Sequence, residues 1–140
     1  MSCLIVVAFT LIGQQVRACS LKALGVNFAP YNVFSDDALH SSGNIEVNCA
    51  SGVGYTIALS EGIGNYEHRA MISGAHALNY NLYTAVNYAL VWGNTTSGTI
   101  TVSESGTGVS VNHVVYGQIP PHQNVPAGSY SDTITVEITF

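Results

Sequence analysis

The side chains able to do chemistry in this chain are few and poorly grouped. The five histidines, His40, His68, His76, His113 and His122, never pair at i+2 or i+4, and no HExxH occurs. Two imidazoles on one helix face need that four-residue spacing to share a metal ion; without it each reads as a surface or loop histidine. Asp36 and Asp37 are adjacent and read as a solvated turn. Glu61 and Glu67 flank a glycine-rich turn and are the one pair suited to a two-carboxylate glycosidase, whose carboxyl groups must stand about 5–9.5 Å apart. Sequence does not set that distance. No GxSxG is present, so a nucleophile elbow is absent. The glycine pairs Gly52/Gly54, Gly62/Gly64 and Gly106/Gly108 lack the rest of GxGxxG and any following helix, and read as turn glycines. Asn94-Thr95-Thr96 fits the glycosylation sequon, which matters only in a glycosylating secretory pathway. The eight tyrosines admit a sugar-binding platform, but tyrosine is also a good strand residue with a polar tip, and that is the simpler reading. No catalytic, cofactor-binding or metal-ligating residue is assigned, and the expectation is a protein that is not an enzyme.

Composition narrows the class further. The 140 residues suit one domain. Lys+Arg is 3 against Asp+Glu 8, and charged residues are 8% of the chain, where about 25% is usual. Three basic residues cannot build a phosphate-binding patch, so nucleic acid is not an expected partner. A coiled coil would need many more Glu, Lys and Leu at heptad spacing. A hydrophobic content of 47% fills a core and argues against disorder. Ser, Thr and Asn supply 36 of the 140 residues, so the polar surface is mostly neutral, as suits a β-rich extracellular structural protein.

The apolar run Cys3 to Gly13 is too short for a stable membrane span, which takes about 20 residues, and matches a leader's apolar segment of about 7–15. Val16-Arg17-Ala18 then offers a cleavage site after Ala18. No Lys or Arg precedes the run, a departure from the usual leader. The competing assignment is a buried first strand, although Leu4 to Phe9 does not alternate. The expected division is a signal peptide over 1–18 and a single domain over 19–140. Cys19 and Cys49 then remain as an even pair in a secreted chain and read as a disulfide. A redox or metal site is the competing reading, without CxxC spacing or paired histidines to favour it.

The elements that must position these residues read as strands. Ile45-Glu46-Val47-Asn48-Cys49, Tyr55 to Ser60, Leu78 to Leu82 and Thr99 to Val102 alternate with period 2. Thr133 to Phe140 is the clearest case, with Ile134, Val136, Ile138 and Phe140 on one face. Val109 to Ile119 carries apolar residues on both faces, which predicts a central strand or a bulge near Gly117. Glycine- and proline-rich turns separate the runs. This spacing predicts an all-β, antiparallel Ig-like Greek-key sandwich.

The order of short motifs resembles the spore coat protein U domain family, which is similar to subunits of archaic chaperone–usher pili. The matching stretches are Ala18-Cys19-Ser20, Val26-Asn27-Phe28 with Tyr31-Asn32, and Val47-Asn48-Cys49 leading into Gly54 to Ser60. Arg69-Ala70-Met71 with Ser73-Gly74, Leu78 to Thr84, Val91-Trp92-Gly93, Val115 to Pro120 and Gln123 to Thr133 follow in order. The resemblance implies an incomplete sandwich lacking its last strand, completed by a strand from a periplasmic pilus chaperone and later from neighbouring pilin subunits, with an outer-membrane usher between. It also implies export through the periplasm to the cell surface, a role in adhesion and biofilm formation, and the Cys19–Cys49 disulfide. Ile134, Val136, Ile138 and Phe140 become the candidate strand-acceptor or chaperone edge. Cleavage at Ala18 would leave no donor segment before Cys19, which predicts a tip-like or stand-alone subunit. A self-assembling spore or cyst coat or matrix protein is the alternative, and a small carbohydrate-binding module a second.

Overall fold

In the computed structural model, residues 7–12 and 18–140 are described. They form nine strands and no helix: β1 Val7–Ile12, β2 Cys19–Leu24, β3 Leu39–Cys49, β4 Gly54–Leu59, β5 Arg69–Ser73, β6 His76–Tyr83, β7 Val102–Ser105, β8 Ser110–Ile119 and β9 Asp132–Thr139. One sheet has the order β1-β9-β4-β7 and the other β2-β3-β8-β6-β5. Every pairing of strands is antiparallel except β1 with β9, which is parallel. The expected all-β sandwich is therefore what forms. No described helix is long and apolar enough to cross a membrane.

The alternating residues face one another across the sandwich. Ile45, Val47 and Cys49 of β3, Tyr55, Ile57 and Leu59 of β4, Leu78, Tyr80 and Leu82 of β6, and Ile134 and Val136 of β9 are all buried in one continuous core. Their outward neighbours are mostly Asn and Thr, such as Asn48, Thr56, Asn79, Thr133 and Thr135, with Glu46 and Glu137 among them, in keeping with a mostly neutral polar surface. Trp92 lies in the same core, and its indole N–H donates to the Ile57 carbonyl at 3.0 Å, so the polar edge of a large buried ring is satisfied.

β8 is the central strand of its sheet, paired in unbroken register with β3 and β6. No bulge interrupts it at Gly117. That glycine serves close packing instead: a Cβ there would collide with the Phe28 ring and the Val26 side chain. The expected strand at Thr99 to Val102 begins later, as β7 at Val102; Thr99 is a buried polar residue whose hydroxyl donates to the Thr96 carbonyl at 2.7 Å.

The disulfide joins Cys19 to Cys49, the first residue of β2 to the last of β3, across directly opposed register positions. Of the expected leader, the structure describes residues 7–12 and Ala18. Residues 1–6 and 13–17, including the cleavage-site positions Val16 and Arg17, lie outside the described residues.

Candidate functional site

β9 is the strand on which the candidate edge residues sit. One flank is fixed by β4, with Leu59 opposite Val136 and Ile57 opposite Ile138. The Ser60 N–H donates to the Thr135 carbonyl at 3.0 Å, and the Thr135 N–H to the Ser60 hydroxyl at 2.8 Å, extending that flank by one step. The other flank carries β1, with Val7 opposite Asp132, Phe9 opposite Ile134 and Leu11 opposite Val136. The four candidates separate by depth. Ile134 and Val136 are fully buried in the core, Ile138 is half-buried, and Phe140 lies past the strand's end and is exposed. The edge itself is the row of backbone N–H and C=O groups facing β1; Ile134 and Val136 lie behind it as the floor.

Two buried polar residues pin the surroundings of β9. Asp132, its first residue, accepts through Oδ1 from the Ile63 N–H at 3.0 Å and the Thr133 N–H at 2.8 Å. Its Oδ2 accepts from the Tyr80 hydroxyl at 2.6 Å. Burial pushes the Asp132 carboxyl up and the Tyr80 hydroxyl up. Gly62, in the left-handed region at φ 62°, makes room for that carboxylate, because a Cβ would strike it. Arg69 is wholly buried. Its Nη2 donates to the Ser60 and Trp92 carbonyls, both at 2.7 Å, its Nη1 to Asn81 Oδ1 at 2.8 Å, and its guanidinium lies 5.2 Å from the Tyr66 ring centre. Burial pulls the Arg69 guanidinium down, and the nearby Tyr80, Tyr66 and Asp132 oppose that. A five-donor fork that bridges carbonyls of separate segments makes one rigid node of them. No buried side-chain nitrogen or oxygen among the described residues lacks a partner, so these groups are spent on holding the fold.

Sequence reasoning gave neither residue a role. Arg69 entered only in the charge count and in the family stretch Arg69-Ala70-Met71, and an arginine opening an apolar strand pattern was the available signal. Asp132 has none beyond its place before the last strand.

The other sequence candidates are scattered. Glu61 and Glu67 line one open cleft of about 560 Å³ together with Tyr66 and Tyr83. Five tyrosines, Tyr31, Tyr55, Tyr66, Tyr80 and Tyr130, are buried, and three half-exposed ones, Tyr83, Tyr88 and Tyr116, cluster beside His40. His113 departs from the expectation of a surface histidine: it is half-buried between the sheets with its Nε2 2.8 Å from the Tyr55 hydroxyl. His122 lies 3.7 Å from the exposed Asp36, and no metal-holding group of His, Cys, Asp and Glu occurs among the described residues.

With this geometry described, comparison with known proteins decides the family: residues 5–137 match the Spore Coat Protein U domain. The chain belongs to that family. This Spore Coat Protein U domain is 48% identical over 63 residues to Protein U of Myxococcus xanthus, a stretch covering 45% of this chain and 34% of that one. Its fold is shared with a chain of the CsuC–CsuE chaperone–tip adhesion subunit pre-assembly complex from the archaic chaperone–usher Csu pili of Acinetobacter baumannii. The TM-score is 0.63 at 24% identity, over 87% of this chain and 39% of that one. The domain thus spans well under half the length of both proteins.

Proposed function

We propose that this domain is an exported, non-enzymatic structural subunit of the archaic chaperone–usher pilus type, whose working surface is the backbone edge of β9. The observation that carries the reading is the β1–β9 pairing. Among the described residues it is the single parallel pairing between strands of the sandwich, and it joins residues more than a hundred positions apart with no hairpin to impose it. An edge that takes up a distant extended segment in this way is an edge suited to strand addition. Family membership and the fold shared with the Csu complex support the same reading. The partners are then a periplasmic chaperone, an outer-membrane usher and neighbouring subunits, and the route is through the periplasm to the cell surface, in the service of adhesion and biofilm formation.

The tip-like position belongs to this reading and depends on processing. Cleavage after Ala18 would put Cys19 first and remove β1, leaving a subunit that accepts a strand without giving one. N-terminal sequencing and intact mass of the exported protein test it. A chain starting at Cys19 that gains two hydrogens on reduction is the expected result; a start before residue 7 retains β1 and rules out the tip-like position. Co-expression with a periplasmic pilus chaperone tests the wider proposal: the chain should co-purify with the chaperone and aggregate without it. A soluble monomer indifferent to the chaperone would sink it.

A self-assembling coat protein is the second reading, favoured by the similarity to Protein U and by the family's description. Ordered assembly of the purified chain with no chaperone present would select it.

A further inference from the structure

We infer that, in the chain that retains its first 18 residues, residues 7–12 act as a plug in cis: they close the β9 edge of their own chain until cleavage removes them or a strand from a partner displaces them. This rests on the reading of β9 as a strand acceptor and adds how that acceptor is kept shut.

The pairing runs through six successive register positions, Val7 with Asp132 to Ile12 with Glu137. It therefore covers the stretch floored by Ile134 and Val136, the most deeply buried of the edge residues. The opposite flank of β9 is occupied by β4 from Val136 onward and by Ser60 at Thr135, so the flank held by β1 is the one a second strand could take. The chain is also anchored just beyond the plug. β2 begins at Cys19, which is tied to Cys49 by the disulfide, and the Ala50 N–H donates to the Ala18 carbonyl at 2.8 Å. From Ile12 to Cys19 the chain can extend at most about 25 Å. A strand tethered that closely has an effective concentration in the millimolar range. A partner strand at micromolar concentration then competes at a disadvantage of roughly a thousandfold. Residues 7–12 thus shield the hydrogen-bonding edge that would otherwise invite aggregation. Removal of the first 18 residues would open it.

The test uses the full chain and a labelled synthetic peptide of residues 5–14 as the competing strand. Thr10 and Thr135 are register partners, so the variant T10C/T135C, in a Cys3→Ser background, should form a disulfide in the folded protein and then take up no peptide. The single variant T10C in the same background is its control. The variant F9D/L11D sets acids opposite Ile134 and Val136, weakens the plug and should bind the peptide about a hundredfold more tightly than the unaltered chain. Equal peptide affinity for the unaltered chain and F9D/L11D, with both binding, overturns the plug and leaves the acceptor standing. Failure of the T10C/T135C disulfide to form overturns the pairing in solution. Binding to neither chain, with the disulfide formed, removes the acceptor reading and the plug with it.

Discussion

β1 and β2 are neighbours in sequence with opposite attachments. β2 enters the five-stranded sheet antiparallel to β3 and is fastened at its first residue by the Cys19–Cys49 bridge. β1, six residues earlier, lies in the other sheet and pairs with β9 in a parallel ladder. Parallel pairing is slightly weaker per residue than antiparallel, and a disulfide between residues 30 apart removes about 3–4 kcal/mol of chain entropy from the unfolded state. The chain is therefore covalently locked from Cys19 onward, whereas β1 is joined to β9 by strand pairing. The proposed strand exchange needs that division: a permanent body, and one flank whose occupant can leave.

The largest effect should come from breaking β9 itself, the proposed floor of the acceptor, against which β1 is paired. Val136 is fully buried, opposite Leu59 on one side of β9 and Leu11 on the other. Val136→Asp buries an unpaired carboxylate and should cost about 4 kcal/mol or more, read as loss of soluble chain and of chaperone capture. Glu137→Gln, one residue on and exposed, should leave both unchanged. Normal capture by Val136→Asp would mean that the floor of the edge lies elsewhere.

Cys49→Ser sharpens the contrast between the two attachments. It should cost about 2–5 kcal/mol and lower the periplasmic yield of folded protein. If β1 is held independently of the clamp, the peptide affinity of the folded remainder should not change. A stability equal to that of the unaltered chain, by urea denaturation, would show that the bridge contributes nothing. A changed peptide affinity would show that clamp and edge are one unit.

What sequence revealed and what it hid divides along a similar line. β3, β4, β6 and β9 were exposed by period-2 alternation, β8 by an apolar run on both faces that suits a central strand, and Gly and Pro turns marked their ends. β5 was hidden because Arg69, Ala70 and Met71 are all buried, which erases alternation. β2 has only half-buried inward residues, too weak a signal to stand out. The run containing β1 reads as a leader by its length and apolar composition, and its pairing with β9 had no local signal, because register is a long-range property. The inward residues of β9, which the proposal makes the floor of an acceptor, were legible for the same reason as the strand. The pins behind them, Arg69 and Asp132, were not, because nothing local shows which carbonyls a buried guanidinium will find.

The smallest effect concerns how the clamped body itself is tied across its two sheets. His113 on β8 and Tyr55 on β4 meet between the sheets, Nε2 to hydroxyl at 2.8 Å, with their rings edge to face at 5.8 Å. Burial pulls the His113 imidazole below its ordinary value, and the nearby Glu104 carboxylate partly restores it. A base whose pKa is lowered by folding binds a proton more readily when unfolded, so stability rises with pH. The contribution is complete above the ordinary histidine range near 6.5 and is lost as pH falls through that value toward the lowered one. Asp132 runs the opposite way, its raised carboxyl favouring the folded chain as acid protonates it, so the contribution of His113 is read between about pH 8 and 5.5 as the difference between the unaltered chain and His113→Gln, which share Asp132. Urea denaturation across that window should show stability falling with acid, and His113→Gln, which keeps an acceptor for Tyr55 but does not titrate, should flatten the slope. Because His113 belongs to the locked body, the same acidification should leave peptide uptake at the β9 edge unaltered. An unchanged slope in His113→Gln would assign the pH dependence to another group, and a parallel change in uptake would show that the edge and the body do not open independently.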